Sequence, residues 1–444
     1  MENFWMFAKS NHLSHKRYFR NVWHRFLILA ILLFPVGLRA QILVDCSGVN
    51  PKAYSSINAA LPSAGPGSTI IVTGTCNENV SLVGLSSLNL GAWFGQTANI
   101  NGAILVGGST SIYLYGLNVT NPLGDGISVQ FSRGVVLDTC TSSGNAGLGL
   151  GVFGAADVVV NATGTFDNNA GGGINIGANS LVALNAWAAP IDISNNGGPG
   201  IFSSDEGVVG TVGQTTITNN NGTGIVLFGA SRAGFGAYYG PNTIQGNSAG
   251  GASAGENSEI SFYSYAGGPP NFIQSNGPFG VSVGTGGQAT FFETAQITDH
   301  DGPGVDVYGN SQANFFGPNQ VLRNGTGGDS ASAGIRVDGN SEALLRGGTV
   351  SQNYGPGILA LVNSSADFTG VTFSGDTGGV ITCDSTSTLI SDLAKPNSTP
   401  PAGVNCKTPH GLGNHKVTKF AFKAPDASPY KALQARYKKI ATKH

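Results

Sequence analysis

The sequence predicts an all-β chain wound as a right-handed parallel β-helix of about eleven coils, entered through a short N-terminal capping helix. Three observations carry this. First, a nine-residue phrase, apolar-x-x-Asn-x-x-x-Gly-apolar, keeps returning: Phe166/Asn169/Gly173/Ile174, Ile193/Asn196/Gly200/Ile201, Ile217/Asn220/Gly224/Ile225 and Ile244/Asn247/Gly251/Ala252. It continues as Ile273/Asn276/Gly280/Val281, Ile297/His300/Gly304/Val305 and Val350/Asn353/Gly357/Ile358, while the copy opened by Val321/Asn324 closes six residues late at Gly334-Ile335. Counting from Asn145, the polar position recurs every 24 to 29 residues, the length of one supersecondary unit stacked on its neighbours. Second, apolar residues alternate within each unit, as in Ile174-Asn175-Ile176 and Val305-Asp306-Val307, which is the period of short half-buried strands. Third, helical periodicity is missing from residues 67 to 390.

The elements follow in order. Residues 1 to 25 carry Lys9, Lys16, Arg17, Arg20 and Arg25, and the apolar run Phe26 to Leu38 ends at Arg39-Ala40. Thirteen apolar residues fall short of the roughly twenty a membrane span needs, so residues 1–40 read as a signal peptide cleaved after Ala40. After cleavage no transmembrane helix is expected, and the chain is secreted, periplasmic or held at the cell surface. Residues 41–66 form the cap, 67–393 the coils and 394–444 a basic, largely disordered tail opened by Lys395-Pro396-Asn397-Ser398-Thr399-Pro400-Pro401. In that tail Tyr430, Leu433, Tyr437 and Ile440 share one helical face among lysines. Such a segment suits docking on an anionic polymer or on the acidic coils themselves.

Within the phrase, the Asn is expected to take left-handed backbone angles at a corner and to bond its neighbours with its amide, so that stacked copies form a ladder. The Gly supplies a positive φ or a close backbone approach. Cys46 and Cys76 bracket the cap, and Cys383 and Cys406 the exit, which suits two disulfides in an oxidising compartment; Cys140 is left as a buried small apolar residue. No cysteine or histidine cluster suggests zinc. Residues 53 to 394 hold 21 acids, five arginines and no lysine, a net charge of −16, which argues against nucleic acid as a partner.

The repeated units resemble the secreted right-handed parallel β-helix repeat proteins of the pectin-lyase-like superfamily. The segment Tyr54-Ser-Ser-Ile57-Asn-Ala-Ala-Leu61, followed by Pro66-Gly67-Ser-Thr-Ile70-Ile71-Val72, is similar to that family's capping helix and first strand. The resemblance covers about residues 54 to 390 and implies fold more than activity, since the superfamily holds lyases, hydrolases, epimerases, adhesins and inactive scaffolds. Its lyases use an Arg or Lys base, usually helped by calcium or another cation that neutralises a uronate carboxylate. Its hydrolases use an Asp trio with Asn-x-Asp, Asp-Asp and Gly-His-Gly motifs. The coils here hold no lysine, no Asp-Asp pair and no Gly-His-Gly, and Asp299-His300-Asp301 only echoes the pattern.

Two surfaces are candidates. His300, the one histidine of the coils, occupies an Asn slot between Asp299 and Asp301. Asp299 shares a slot with Arg323, and Asp306 with Arg336, one coil apart, with Asp338 nearby. As structure these are cross-strand ion pairs. As chemistry, Asp299, His300, Asp301, Asp306, Arg323 and Arg336 would form the patch of a polysaccharide lyase or glycoside hydrolase. No cofactor is expected, Ca²⁺ at these carboxylates being the one ion such a cluster suits. The second surface is the outward row Tyr263, Phe292 and Phe316, followed by Arg346, suited to sugar rings or a partner protein unless the turns Tyr238-Tyr239-Gly240-Pro241 and Phe316-Gly317-Pro318 cover it. The near-uniform coils and the shortage of catalytic residue types favour a non-catalytic scaffold that contacts polysaccharide, a cell-envelope component or a surface partner along one face, and the charged tail and capped ends favour a monomer.

Overall fold

The structure, a computed structural model, describes residues 41–391 apart from 94, 265–266 and 329–331, together with the strand Val404–Cys406. The expected leader (1–40) and the tail beyond that strand lie outside the described residues. Each coil carries three short strands, as in Ile201–Ser203, Val208–Val212 and Thr215–Thr218. Every strand pairs in parallel with its counterpart one coil on, for example Ile201 with Ile225, Val209 with Ala233 and Ile217 with Ile244. Three ladders result, named here first, second and third in the order of that coil.

The first ladder contains 14 strands, more than the eleven or so coils expected. The phrase marks only the middle coils. The strands Val80–Val83, Ile104–Gly107 and Ile127–Gln130 precede its first Asn, and Ile381–Cys383 and Val404–Cys406 follow its last. The second and third ladders merge into one sheet near Val135–Ser142 and Asp157–Thr165, two strands long enough to pair in both.

Alternation sorts the side chains. Val, Ile, Leu and Phe point into one continuous core, and Phe235, Phe262, Phe291 and Phe315 stack along it with ring centroids 5.5, 5.4 and 4.6 Å apart. Each buried ring removes its full surface from water and adds an offset-stacking contribution of about 1 kcal/mol per pair. Between the first and second ladders the chain turns through two consecutive residues with φ near +55°, for example Ala178-Asn179, Asp205-Glu206 and Val362-Asn363. Two positive φ values in sequence mark a type I′ turn. Buried serines stack beneath this corner, with Ser231 N–H donating to Ser258 Oγ at 3.1 Å and Ser311 N–H to Ser341 Oγ at 3.1 Å.

The cap is built as expected, with one addition. The strand Gln41–Asp45 already pairs with Thr69–Thr73, so the second ladder begins before the helix. The helix is a single turn, Ile57–Ala60, capped by the Ser56 hydroxyl and held by Glu78, whose carboxylate accepts from Ile57 N–H at 2.6 Å and Asn58 N–H at 3.1 Å. Cys46 and Cys76 form a disulfide. Cys383 is also disulfide-bonded, and its register partner one coil on is position 406, whose side chain lies outside the described ones. Cys140 is free and buried, and burial pushes its thiol up to about 12. No helix among the described residues is long and apolar enough to cross a membrane.

Candidate functional site

The polar residues of the repeated phrase form one vertical hydrogen-bonded stack. Asn145, Asn169, Asn196, Asn220 and Asn247 each donate from Nδ2 to Oδ1 of the next amide, at 2.6, 3.1, 2.8, 2.9 and 2.9 Å, the last ending on Asn276. Their backbone N–H groups donate to the same oxygens, and most Nδ2 atoms also reach a carbonyl one coil back, as Asn220 does to Ile193 O at 3.1 Å. The stack resumes at Asn324 and Asn353 and ends on the carboxylate of Asp376, 2.8 Å from Asn353 Nδ2.

One expectation about this corner needs correction, and one narrows to a single alternative. The ladder asparagines do not take left-handed angles; the residue before each one does. Asn168, Asn195, Asn219, Gly246, Ser275, Asp299, Arg323 and Gln352 all have φ between 49° and 67°. The turn must be made one residue early so that the next side chain can point inward and meet its neighbours. The glycines of the phrase serve by close approach alone. A Cβ on Gly224 would lie 2.6 Å from Gly251 O and 2.8 Å from Asn247 Nδ2.

His300 is a rung of this stack. It is fully buried; its Nδ1 accepts from Asn276 N–H at 3.1 Å, and its Nε2 lies 3.0 Å from Ile273 O. Those partners fix a neutral imidazole protonated on Nε2. Burial pushes its pKa down to about 4, against a partial opposing pull from its two hydrogen bonds and from Asp299 and Asp301. The ring copies one acceptor and one donor of an amide. It lacks the second N–H, so Asn324 Oδ1 receives only the His300 backbone N–H, at 3.3 Å.

The flanking carboxylates turn outward. Asp299 and Arg323 form a two-pronged, exposed pair with N···O distances of 2.7 and 2.8 Å, and the guanidinium holds the Asp299 carboxyl below its usual range. Asp301 accepts from Thr326 Oγ1 at 3.2 Å, because the late-closing insertion starts by folding over it, with Gly327 N–H on Asp301 O at 2.7 Å. Arg336 pairs with Asp338 at 2.7 Å and lies 3.7 Å from Asp306, too long for a hydrogen bond. Asp306 Oδ1 and Arg336 Nε are both enclosed without a hydrogen-bond partner. Burial pushes the Asp306 carboxyl up, with Arg336 opposing and Asp338 reinforcing. The cross-coil pairing expected from the sequence is therefore present twice, and the imidazole between Asp299 and Asp301 faces away from both.

The aromatic row runs in register as Tyr263, Phe292, Phe316 and Arg346 at the outer edge of the second ladder. All four are half-buried. Phe292 and Phe316 stack on each other with centroids 5.5 Å apart and planes 20° from parallel, so each turns a face towards its neighbour one coil on. Tyr238 from the preceding turn packs edge-on against Tyr263. Arg346 makes a two-pronged pair with Asp367 at 2.8 and 2.6 Å. The row is thus partly covered, as the Tyr238 turn allowed.

A second cluster on the same edge escaped the sequence reading. One registered row runs Gly91, Tyr115, Asp138, Asn161 and Asn185. Asn185 Nδ2 donates to Asn161 Oδ1 at 3.0 Å, Asn161 Nδ2 to Asp138 Oδ2 at 3.1 Å, and the Tyr113 hydroxyl donates to Asp138 Oδ2 as well. Trp93 and Trp187, each two residues past this row, are 50% and 55% exposed, and Trp187 Nε1 donates to Asn161 Oδ1 at 3.3 Å. The signal in the sequence was the equal offset of the two tryptophans from Gly91 and Asn185, visible only once the register is known.

Residues 102–264 match the family model described as a right handed beta helix region. No curated protein matches the chain in sequence. Among solved structures it is similar to the A-module of mannuronan C-5 epimerase AlgE4 from Azotobacter vinelandii, at 16% identity over 78% of this chain and 93% of that one, with a TM-score of 0.48. It is similar also to the catalytic unit of a thermostable GH87 alpha-1,3-glucanase from Streptomyces thermodiastaticus, at 14% identity over 83% and 69% of the two chains, TM-score 0.40. A third is PfbA, a surface adhesin of Streptococcus pneumoniae, at 12% identity over 73% and 88%, TM-score 0.33. Taken with the three parallel ladders, the family-model match identifies the architecture: a right-handed parallel β-helix.

Proposed function

We propose that this chain is an exported β-helix scaffold, non-catalytic, that holds polysaccharide or a surface partner along the outer face of its second ladder. The observation that carries the reading is the internal engagement of the groups that could do chemistry. The histidine is sealed in the amide stack, and Asp299, Asp338 and Asp367 each hold an arginine. A general acid or base needs a free, reachable position beside its substrate. A face of parallel strands repeats its side chains every 4.8 Å or so, which suits a polymer that itself repeats. The two disulfide-bonded sites support an oxidising compartment.

One observation favours an alternative. Asp306 is a mostly enclosed carboxyl with a raised pKa and no hydrogen bond, beside Arg336, the kind of environment that poises an acid for proton transfer. A lyase or hydrolase centred there would release unsaturated or reducing ends from a polysaccharide panel. The scaffold reading expects no product above background. Product that disappears in Asp306→Asn, with the fold intact by circular dichroism, would replace it with the enzyme reading.

A further inference from the structure

Trp93 and Trp187 are the only tryptophans between residues 41 and 444, and both stand at least half exposed at the same corner, after the second ladder. Tryptophan on average is a strongly buried residue, and two left open on one line are a surface kept for contact. Four coils separate them, about 19 Å at the strand spacing. Between them lie Tyr115, half-buried, and the hydrogen-bonded run Asn185–Asn161–Asp138. That run ends on the Asp138 carboxylate, whose Oδ2 accepts both Asn161 and Tyr113, and Asp138 and Asn185 are half-buried, so carboxylate and amide oxygens reach the surface beside the rings.

We infer that the strip Trp93–Tyr115–Asp138–Asn161–Asn185–Trp187 binds a neutral oligosaccharide segment of a linear polysaccharide. The inference rests on the proposed polysaccharide-holding role and narrows it to a place and a ligand class. A sugar ring offers one apolar C–H face and a rim of hydroxyls. Flat aromatic groups receive the first, and paired carboxylate and amide oxygens receive the second. The strip carries one carboxylate and no cation, on coils with a net charge of −16, so a polyuronate would be repelled. An extended peptide would need an unpaired strand edge. The strands here, Thr110–Tyr115 through Leu181–Asn185, are paired on both sides.

The test is affinity electrophoresis of the full chain through gels containing xylan, glucomannan or mixed-linkage β-glucan, with polygalacturonate for comparison and a peptide array run in parallel. The wild type should be retarded by at least one neutral polysaccharide and not by polygalacturonate. Trp187→Ala should weaken that retardation by about tenfold, as for a buried aromatic anchor, with Trp187→Phe intermediate and both melting at the wild-type temperature. Should Trp187→Ala fail to fold, Asp138→Asn carries the same expectation. Retardation that survives Trp93→Ala and Trp187→Ala but is lost in Phe316→Ala would overturn this strip while leaving the scaffold reading standing. No retardation by any polysaccharide would overturn both, and peptide capture lost in Trp187→Ala would overturn the ligand class.

Discussion

An imidazole can replace an amide in a buried hydrogen-bonded stack only while it is neutral, and that condition sets the behaviour of His300. Its pKa in the folded chain is about 4, below the ordinary value of 6.5. The unfolded chain therefore binds the extra proton first as the pH falls, and the contribution to stability, full above 6.5, is lost progressively towards 4. By pH 5 the loss amounts to about 2 kcal/mol. His300→Asn restores an amide with its second N–H, so the variant should lose that much less stability between pH 7 and pH 5 in urea melts. An equal loss in both proteins would remove His300 from the stack. The amides themselves should be costly to delete. Asn220→Ala strands the backbone N–H of Asn196 and one of its two Nδ2 hydrogens, the other staying on Phe166 O, and leaving buried donors unmet costs about 3 kcal/mol. A drop of less than about 1 kcal/mol in the same melts would show that water or rearrangement replaces the rung.

At the scale of the corner and the strand, the same three turns are made coil after coil, and the backbone angles decide which residues suit them. Val362 holds φ 52° at the type I′ corner, a conformation β-branched residues resist, in the slot that Gly309 and Gly339 fill elsewhere. Val362→Gly should stabilise the chain by about 1 kcal/mol by relieving that strain, measured as a rise in melting temperature; a fall would mean that the Val362 side chain contributes packing worth more than the strain. This corner also shows what could be read from sequence and what could not. The Asn–Gly phrase declared the period, the parallel ladders and the His300 rung, because those depend on residue type at a fixed spacing. The left-handed residue before each Asn was hidden, since Asn195, Ser275, Asp299 and Arg323 share a backbone shape but no chemistry. The early coils were missed because they turn without the phrase, and the Trp93–Trp187 strip because it exists only in register across four coils. The Asp299–Arg323 and Asp306–Arg336 pairs were found from offsets alone, whereas the mutual stacking of Phe292 and Phe316 depends on ring rotation, which spacing does not encode.

Across the coils, a stack of amides runs inside and four ion pairs among the described residues hold charges outside. A folded coil region with a net charge of −16 should stay apart from other copies at low salt, which would leave the edge proposed for a ligand uncovered. The central claim is binding without turnover, and isothermal titration calorimetry reads both at once. Injection of a polysaccharide that the chain retains should give heats that saturate and return to baseline. Heat flow that persists after each injection, at a rate that scales with protein concentration and vanishes in Asp306→Asn, would contradict the account.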